Sequence, residues 1–185
     1  PNSKIIPPDI TIADGIAIKK IGKLTGAIID KLVTSFKVVT DLEISKAVVK
    51  FLELEKALVE GAGAAPLAAV LQGSLDPKYK KVVLVVSGGN IDINLISAMI
   101  QRDLIDRGRR IRLRLSIVDR PGMLHKITAI IASHGANILD VVHDRFGALP
   151  GLAEAEFMLE VHDRERGELI LKDLEKLDVR VVWIE

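Results

Sequence analysis

The sequence contains no cysteine. That removes disulfides, thiolate nucleophiles and cysteine-held metal clusters, and it suits a reducing, cytoplasmic compartment. Aromatic residues make up only 3% of the chain, too few for the stacking platforms that grip single-stranded nucleic acid. Charge of one sign is also lacking. The 26 basic and 25 acidic side chains leave a net charge of +1, which argues against bulk attraction to nucleic acid or an anionic membrane. The longest uncharged stretch, Gly61 to Leu75, is broken by three glycines and a proline and is too short to span a bilayer. Residues 1–10 have neither the basic start nor the apolar block of a signal peptide. The chain begins with Pro1, for which a processed or truncated polypeptide is the simplest reading.

What remains is a folded protein. Its 185 residues are 49% apolar, enough for the core of one domain or two small ones. Basic residues are mostly lysine before residue 108 and mostly arginine after it. The run Asp106-Arg107-Gly108-Arg109-Arg110 sets a helix-ending glycine among polar residues. These features divide the chain into residues 1–108 and 109–185.

The first part alternates helix and strand. Leu24, Ile28, Ile29 and Leu32 predict a helix over 23–33. Phe36 to Val39 predicts a short buried strand. Thr40-Asp41-Leu42-Glu43 has the form of a capping box and opens a helix expected to run to about Val59. Gly61 to Pro66 is expected to break that helix, with a new one resuming at Leu67. Lys81 to Val86 is a continuous β-branched run, expected as a central strand. Ser87-Gly88-Gly89-Asn90 then turns into a helix ending near Gly108. A third strand is expected at Asp9 to Ala13. This is α/β material, but the sheet is sparse for a whole domain.

The second part reads as βαββαβ, the split-βαβ, ferredoxin-like order. Ile111, Leu113, Leu115 and Ile117 alternate with arginine and serine over 110–118. Pro121 suits a first helical position, and Leu124, Ile127 and Ile131 follow at helical spacing. Gly135 ends that helix, and strands are expected over 137–145 and 152–161. A helix over 164–176 precedes a last strand over 179–184. In this order the first strand lies beside the third, placing Arg112 and Arg114 on one face with Glu154 and Glu156. Opposed charges across a ladder explain the arginines better than nucleic-acid binding does.

Gly61-x-Gly63 follows a helix rather than a strand and lacks a third glycine, so a dinucleotide fingerprint is set aside in favour of close backbone packing. His125, His134, His143 and His162 fall on different elements and offer no metal-ligand spacing; no metal site is expected. Two stretches stay open between structural and ligand-binding roles. Ser87-Gly88-Gly89-Asn90 is either a tight turn or a ligand-receiving strand end. Asp119-Arg120-Pro121-Gly122-Met123-Leu124 is either a plain helix start or a site where amides at the helix N-terminus receive a carboxylate. Asn137 could supply a donor and an acceptor to an amino acid.

Asp119-Arg120-Pro121-Gly122-Met123-Leu124 followed by Gly135-Ala136-Asn137-Ile138 resembles an ACT domain, a small amino-acid-sensing module. Upstream, Thr11-Ile12-Ala13-Asp14-Gly15, Glu60-Gly61-Ala62-Gly63-Ala64-Ala65 and Ser87-Gly88-Gly89-Asn90 resemble the last third of a pyridoxal-phosphate catalytic domain. In this order they resemble threonine ammonia-lyases with one C-terminal ACT domain, across essentially the whole chain. The resemblance implies a partial catalytic lobe of fold type II, like the tryptophan synthase β chain, followed by the ferredoxin-like domain. It implies conversion of threonine to 2-oxobutanoate and ammonia in an intact enzyme, with Ser87 bonded to the pyridine nitrogen of pyridoxal phosphate. A hydroxyl there fits elimination better than transamination. Gly15 and Glu60 would lie near the ring, and Gly88 and Gly89 beneath it.

The family's cofactor-bearing lysine and phosphate cradle lie in an N-terminal stretch with no counterpart in these residues. No catalytic residue is therefore nominated, and this chain alone is expected to be inactive, with apolar surface left bare. In the ACT domain the resemblance implies a homo-oligomer with effector held between domains paired side by side. Gly122, Met123 and Leu124 would form one side of that site, and Asn137 and Ile138 the other. Isoleucine is the expected effector, with valine possible. The competing reading is a self-standing amino-acid sensor without catalytic activity.

Overall fold

The computed structural model describes residues 11–73, 75–146, 148–177 and 179–184. The chain divides into two compact units, residues 1–100 and 101–185, with the division falling inside a helix.

In the first unit, a 3-10 turn at Asp14–Ile16 precedes α1 (Lys23–Leu32), α2 (Asp41–Lys50) and α3 (Gly61–Leu71), and α4 (Ile93–Asp106) begins there. The capping box forms as the sequence predicts. The Thr40 hydroxyl accepts from the Glu43 amide at 3.3 Å, and the Glu43 carboxylate accepts from the Thr40 amide at 2.6 Å. The bond from the Thr40 amide, and then that from its hydroxyl, hold the Glu43 carboxyl below its ordinary value. Ile44, Ala47 and Val48 on α2 pack with Val59, Ala64, Ala68 and Met99; the alanines bring α2 and α3 close together.

Three expectations for this unit need correction. The α2 helix does not reach Val59; it passes into a π-helical turn at Phe51–Glu55 and ends at Lys56, whose φ is +56°. The chain reverses there so that Val59 enters the core. Gly61 to Pro66 is not a break but the opening of α3. A Cβ on Gly61 would run into the Ile12 carbonyl, and one on Gly63 into that of Ser87. Glycine costs a helix about 1 kcal/mol relative to alanine, and here it purchases the contact of three chain segments. Finally, no strand occurs among the described residues of this unit. The runs 36–39 and 81–86 have no ladder, and Val38, Val83 and Val85 are 86%, 90% and 75% exposed. A β-branched run becomes a strand only when neighbours take its backbone hydrogen bonds. Of the strand expected at Asp9 to Ala13, residues 9 and 10 lie outside the described residues, and 11–13 are irregular.

The second unit follows the sequence closely: β1 (Arg110–Val118), α5 (Met123–Ser133), β2 (Asn137–Asp144), β3 (Leu152–Glu160), α6 (Arg164–Leu174) and β4 (Val179–Trp183). The antiparallel neighbours give the order β2-β3-β1-β4. Every inward residue of β1 and β3 is buried: Ile111, Leu113, Leu115 and Ile117 against Ala153, Ala155, Phe157 and Leu159. Met123, Ile127 and Ile131 from α5 and Ile170 and Leu174 from α6 complete this core. On the other face, Arg112 and Arg114 both pair with Glu156, at 3.2 and 3.1 Å, while Glu154 stands opposite Ser116. One boundary shifts: Pro121 lies in a turn, and α5 starts at Met123 after Gly122.

Candidate functional site

Each unit gathers residues that the sequence singles out. In the first, the polar network begins at Thr11, whose hydroxyl donates to Asp41 Oδ1 at 2.6 Å while the Ile12 amide reaches Oδ2 at 3.3 Å. This ties the strip carrying Asp14 and Gly15 to the start of α2. The close approach at Gly61 and Gly63 then brings that strip and Ser87 to the N-terminus of α3. The Glu60 amide donates to the Gly88 carbonyl at 3.3 Å, and the Asn90 amide donates to Glu60 Oε2, also at 3.3 Å. The Glu60 carboxylate lies directly over Gly88, whose φ is +75°, and a Cβ on Gly15 would stand 3.4 Å from Glu60 Oε1. Gly15, Glu60, Ser87 and Gly88, far apart in sequence, thus occupy one cluster. Gly89 sits at its edge, against the Leu58 carbonyl.

The cluster is open to solvent at Gly15 and Ser87 through Asn90. The Ser87 hydroxyl makes no hydrogen bond among the described residues. One free hydroxyl beside bare glycine backbone fits the edge of a heteroaromatic ring such as that of pyridoxal phosphate. The Glu60 carboxylate over Gly88, with no lysine or arginine among the clustered residues, disfavours a phosphate at this turn.

In the second unit a cleft of about 420 Å³ opens at the C-terminal ends of β1 and β2. Its walls are Ile117 and Val118, the loop from Asp119 to Leu124, and His143 and Arg145. Gly122, at φ +86°, forms the N-cap of α5 without any side-chain cap bond. The Met123 amide donates to the Arg120 carbonyl at 3.4 Å, and the Leu124 and His125 amides are left without an acceptor among the described residues. Met123 contributes only backbone here, because its side chain is 3% exposed in the core. Across the mouth, the Arg145 Nε and Nη2 donate to Asp119 Oδ2 at 2.9 and 2.7 Å. That hydrogen bond, and then the Asp119 charge, raise the Arg145 guanidinium above its ordinary value.

Asn137 and Ile138 are not in this cleft. Asn137 opposes Glu160, which opposes Arg110, whereas Asp144 opposes Glu154, which opposes Ser116. The two proposed halves of the effector site therefore stand at opposite ends of one sheet. At about 3.3 Å per residue the separation is roughly 20 Å. A single chain cannot bring both to one small ligand.

Sequence reasoning passed over His143 and Arg145 as site residues. The signal was topological: a β-α-β crossover places the C-terminal ends of both parallel strands at the same end of the sheet, where ligands collect. Among the described residues no group of three or more histidine, aspartate or glutamate side chains is placed to hold a metal ion, and no helix is long and apolar enough to cross a membrane.

Comparisons with known proteins follow the same division. Residues 2–88 match the family described as pyridoxal-phosphate dependent enzyme, and residues 111–179 match the ACT domain. The chain is 43% identical over 176 residues to an L-threonine ammonia-lyase of Thermotoga maritima, covering 93% of this chain and 44% of that protein. It is 42% identical over 159 residues to one of Geobacter sulfurreducens, covering 86% and 40% respectively. The chain thus spans less than half the length of these relatives. The ACT domain of a GTP pyrophosphokinase from Chlorobium tepidum overlaps 40% of this chain and 96% of its own, at 22% identity and a TM-score of 0.33.

Proposed function

Starting from a chain that joins the C-terminal part of a pyridoxal-phosphate enzyme to an ACT domain, as in the threonine ammonia-lyases it matches, we propose that it is the regulatory portion of such an enzyme. The parent protein converts L-threonine to 2-oxobutanoate and ammonia in the cytoplasm, and the ACT domain senses an amino acid, isoleucine foremost, with valine as a second ligand. The observation that carries the first half is the convergence of Gly15, Glu60, Ser87 and Gly88 at the start of α3.

Pyridoxal phosphate, when bound, supplies the electron sink for removing the α-proton and β-hydroxyl of threonine. The Ser87 hydroxyl would hold the ring nitrogen by a hydrogen bond that does not force its protonation as a carboxylate would. Gly15, Gly88 and Gly89 would admit the ring close to the backbone. Glu60, held by the Asn90 amide, would border it. The exposed apolar residues of this unit, Leu24, Leu32, Phe36, Val83 and Val85 among them, support a lobe that is covered by further protein in the working enzyme. They count against the freestanding sensor.

In the ACT domain the ligand site is completed by a second copy. β2 is an edge strand, with Leu139, Val141 and Val142 exposed at 39%, 48% and 55%, and an unpaired edge is a template for another strand. Two β2 strands pairing antiparallel about a two-fold axis between Asp140 and Val141 set Asn137 opposite the partner's Asp144 and Ile138 opposite the partner's His143. Both residues then reach the partner's cleft, and each dimer holds two equivalent sites.

Calorimetric titration of the chain with isoleucine, valine, threonine and serine tests the sensor. Saturable, selective binding of isoleucine is expected. Absence of binding by this chain and by the full-length enzyme would overturn it.

A further inference from the structure

We propose that the Asp119–Arg145 ion pair is a latch across the cleft that only a zwitterion opens, and that it sets the ligand class as α-amino acids to the exclusion of their 2-oxo acids and amines. The inference rests on the sensor reading above and goes further by naming the two side chains that select the ligand.

Three features of the pair support it. Both side chains line the cleft beside the Gly122 turn. The pair joins the β1–α5 loop to the end of β2, so whatever enters between them meets both elements at once. It is also loosely made: Arg145 places Nε and Nη2 on one oxygen, Oδ2. Asp119 Oδ1 and Arg145 Nη1 have no hydrogen bond among the described residues. The side chains are 25% and 61% exposed, and exposed ion pairs are weak.

An α-amino acid carries an ammonium and a carboxylate on one carbon. Entering the cleft, it gives Asp119 a new cation and Arg145 a new anion, so one weak pair becomes two charge-assisted ones. The uncapped Leu124 amide at the start of α5 adds a donor on the carboxylate side. A 2-oxo acid satisfies Arg145 but leaves Asp119 an unpaired anion beside another carboxylate. An amine satisfies Asp119 and strands Arg145. A site built to bond a group rejects the analogue lacking it, because its own polar groups go unpaired. Such a sensor ignores the 2-oxo acid that the proposed elimination releases.

The test is calorimetry on the full chain with three probes: L-isoleucine, 3-methyl-2-oxopentanoate and 2-methylbutylamine. The two analogues should bind at least tenfold more weakly than isoleucine. Asp119→Asn should erase the preference for isoleucine over the 2-oxo acid, and Arg145→Gln the preference over the amine. A pair that merely braces the loop would weaken all three probes alike in either variant, leaving the ratios unchanged; that result would overturn the latch. So would equal binding of isoleucine and its 2-oxo acid by the unaltered chain. Binding of none of the amino acids by chain or enzyme would instead overturn the sensor reading, and the latch with it.

Discussion

Replacing Gly122 separates the ligand site from the fold beneath it. Its φ of +86° and ψ of −7° lie in the left-handed region, which costs an L-residue roughly 1–2 kcal/mol. A Cβ there meets nothing within 4 Å, so no overpacking is added to that strain. Gly122→Leu should therefore destabilise the second unit by about 1–2 kcal/mol, lowering its midpoint by about 4–8 °C for each kcal/mol in a unit of this size. Gly122→Asn should lose less, since asparagine tolerates the left-handed region better than leucine. Trp183, the sole tryptophan, lies on β4, so its fluorescence during heating reports this unit selectively. The leucine side chain would stand where ligand enters, and Gly122→Leu should show no saturable heat at isoleucine concentrations that saturate the unaltered chain. Unchanged isoleucine affinity in a folded Gly122→Leu variant would refute the placement of the site. A loss far beyond 2 kcal/mol would refute the claim that the Cβ projects into open space.

Other consequences concern the same unit. Phe157 is fully buried opposite Leu113 and Val141, and Phe157→Ala should cost about 3–5 kcal/mol, read from urea unfolding followed at Trp183. Gly167→Ala would bring its methyl 2.9 Å from Trp183 Cη2 and 3.2 Å from Ile111 Cδ1. Overpacking of about 1–3 kcal/mol, offset by about 1 kcal/mol of helix propensity inside α6, should leave a net loss of about 0–2 kcal/mol, with a shift in Trp183 emission. Acid should loosen the helical layer. The Asp163 carboxyl is held low by His162 and then by the Arg166 amide it caps, and Asp173 by Lys176 and then by His134. Because both folded values are depressed, their contribution is complete above the ordinary aspartate pKa of about 3.9 and is lost as pH falls through the lower folded values. Thermal midpoints measured from pH 6 to pH 2 should fall less steeply for the Asp163→Asn/Asp173→Asn variant than for the unaltered chain.

The second unit was legible because its signals are local and agree. Alternation over 110–118 and 152–160 fixes which face is buried, and the register of β1 on β3 follows from it. The first unit was harder because its signals depend on what surrounds them. Lys81 to Val86 has the composition of a buried strand, yet strand formation needs partners, and none lies among the described residues. Gly61, Gly63 and Pro66 carry poor helix propensity, which tertiary contact overrides at α3. At the sites, the motif residues were visible as motifs, but Arg145 was not, since only the fold carries the end of β2 to Asp119. Nor could spacing along the chain reveal that Asn137 and Gly122 stand at opposite ends of the sheet.

That last separation makes the shared effector site directly testable. Chains carrying Gly122→Leu and chains carrying Asn137→Ala, each expected to bind little isoleucine alone, would be mixed, allowed to exchange and titrated. In a mixed dimer both defects fall in one site and the other site is intact. Random exchange should restore roughly a quarter of the original sites, at the original affinity. If the mixture stays silent while both variants remain folded and dimeric, or if Asn137→Ala binds isoleucine normally, the site does not span two chains and the account fails.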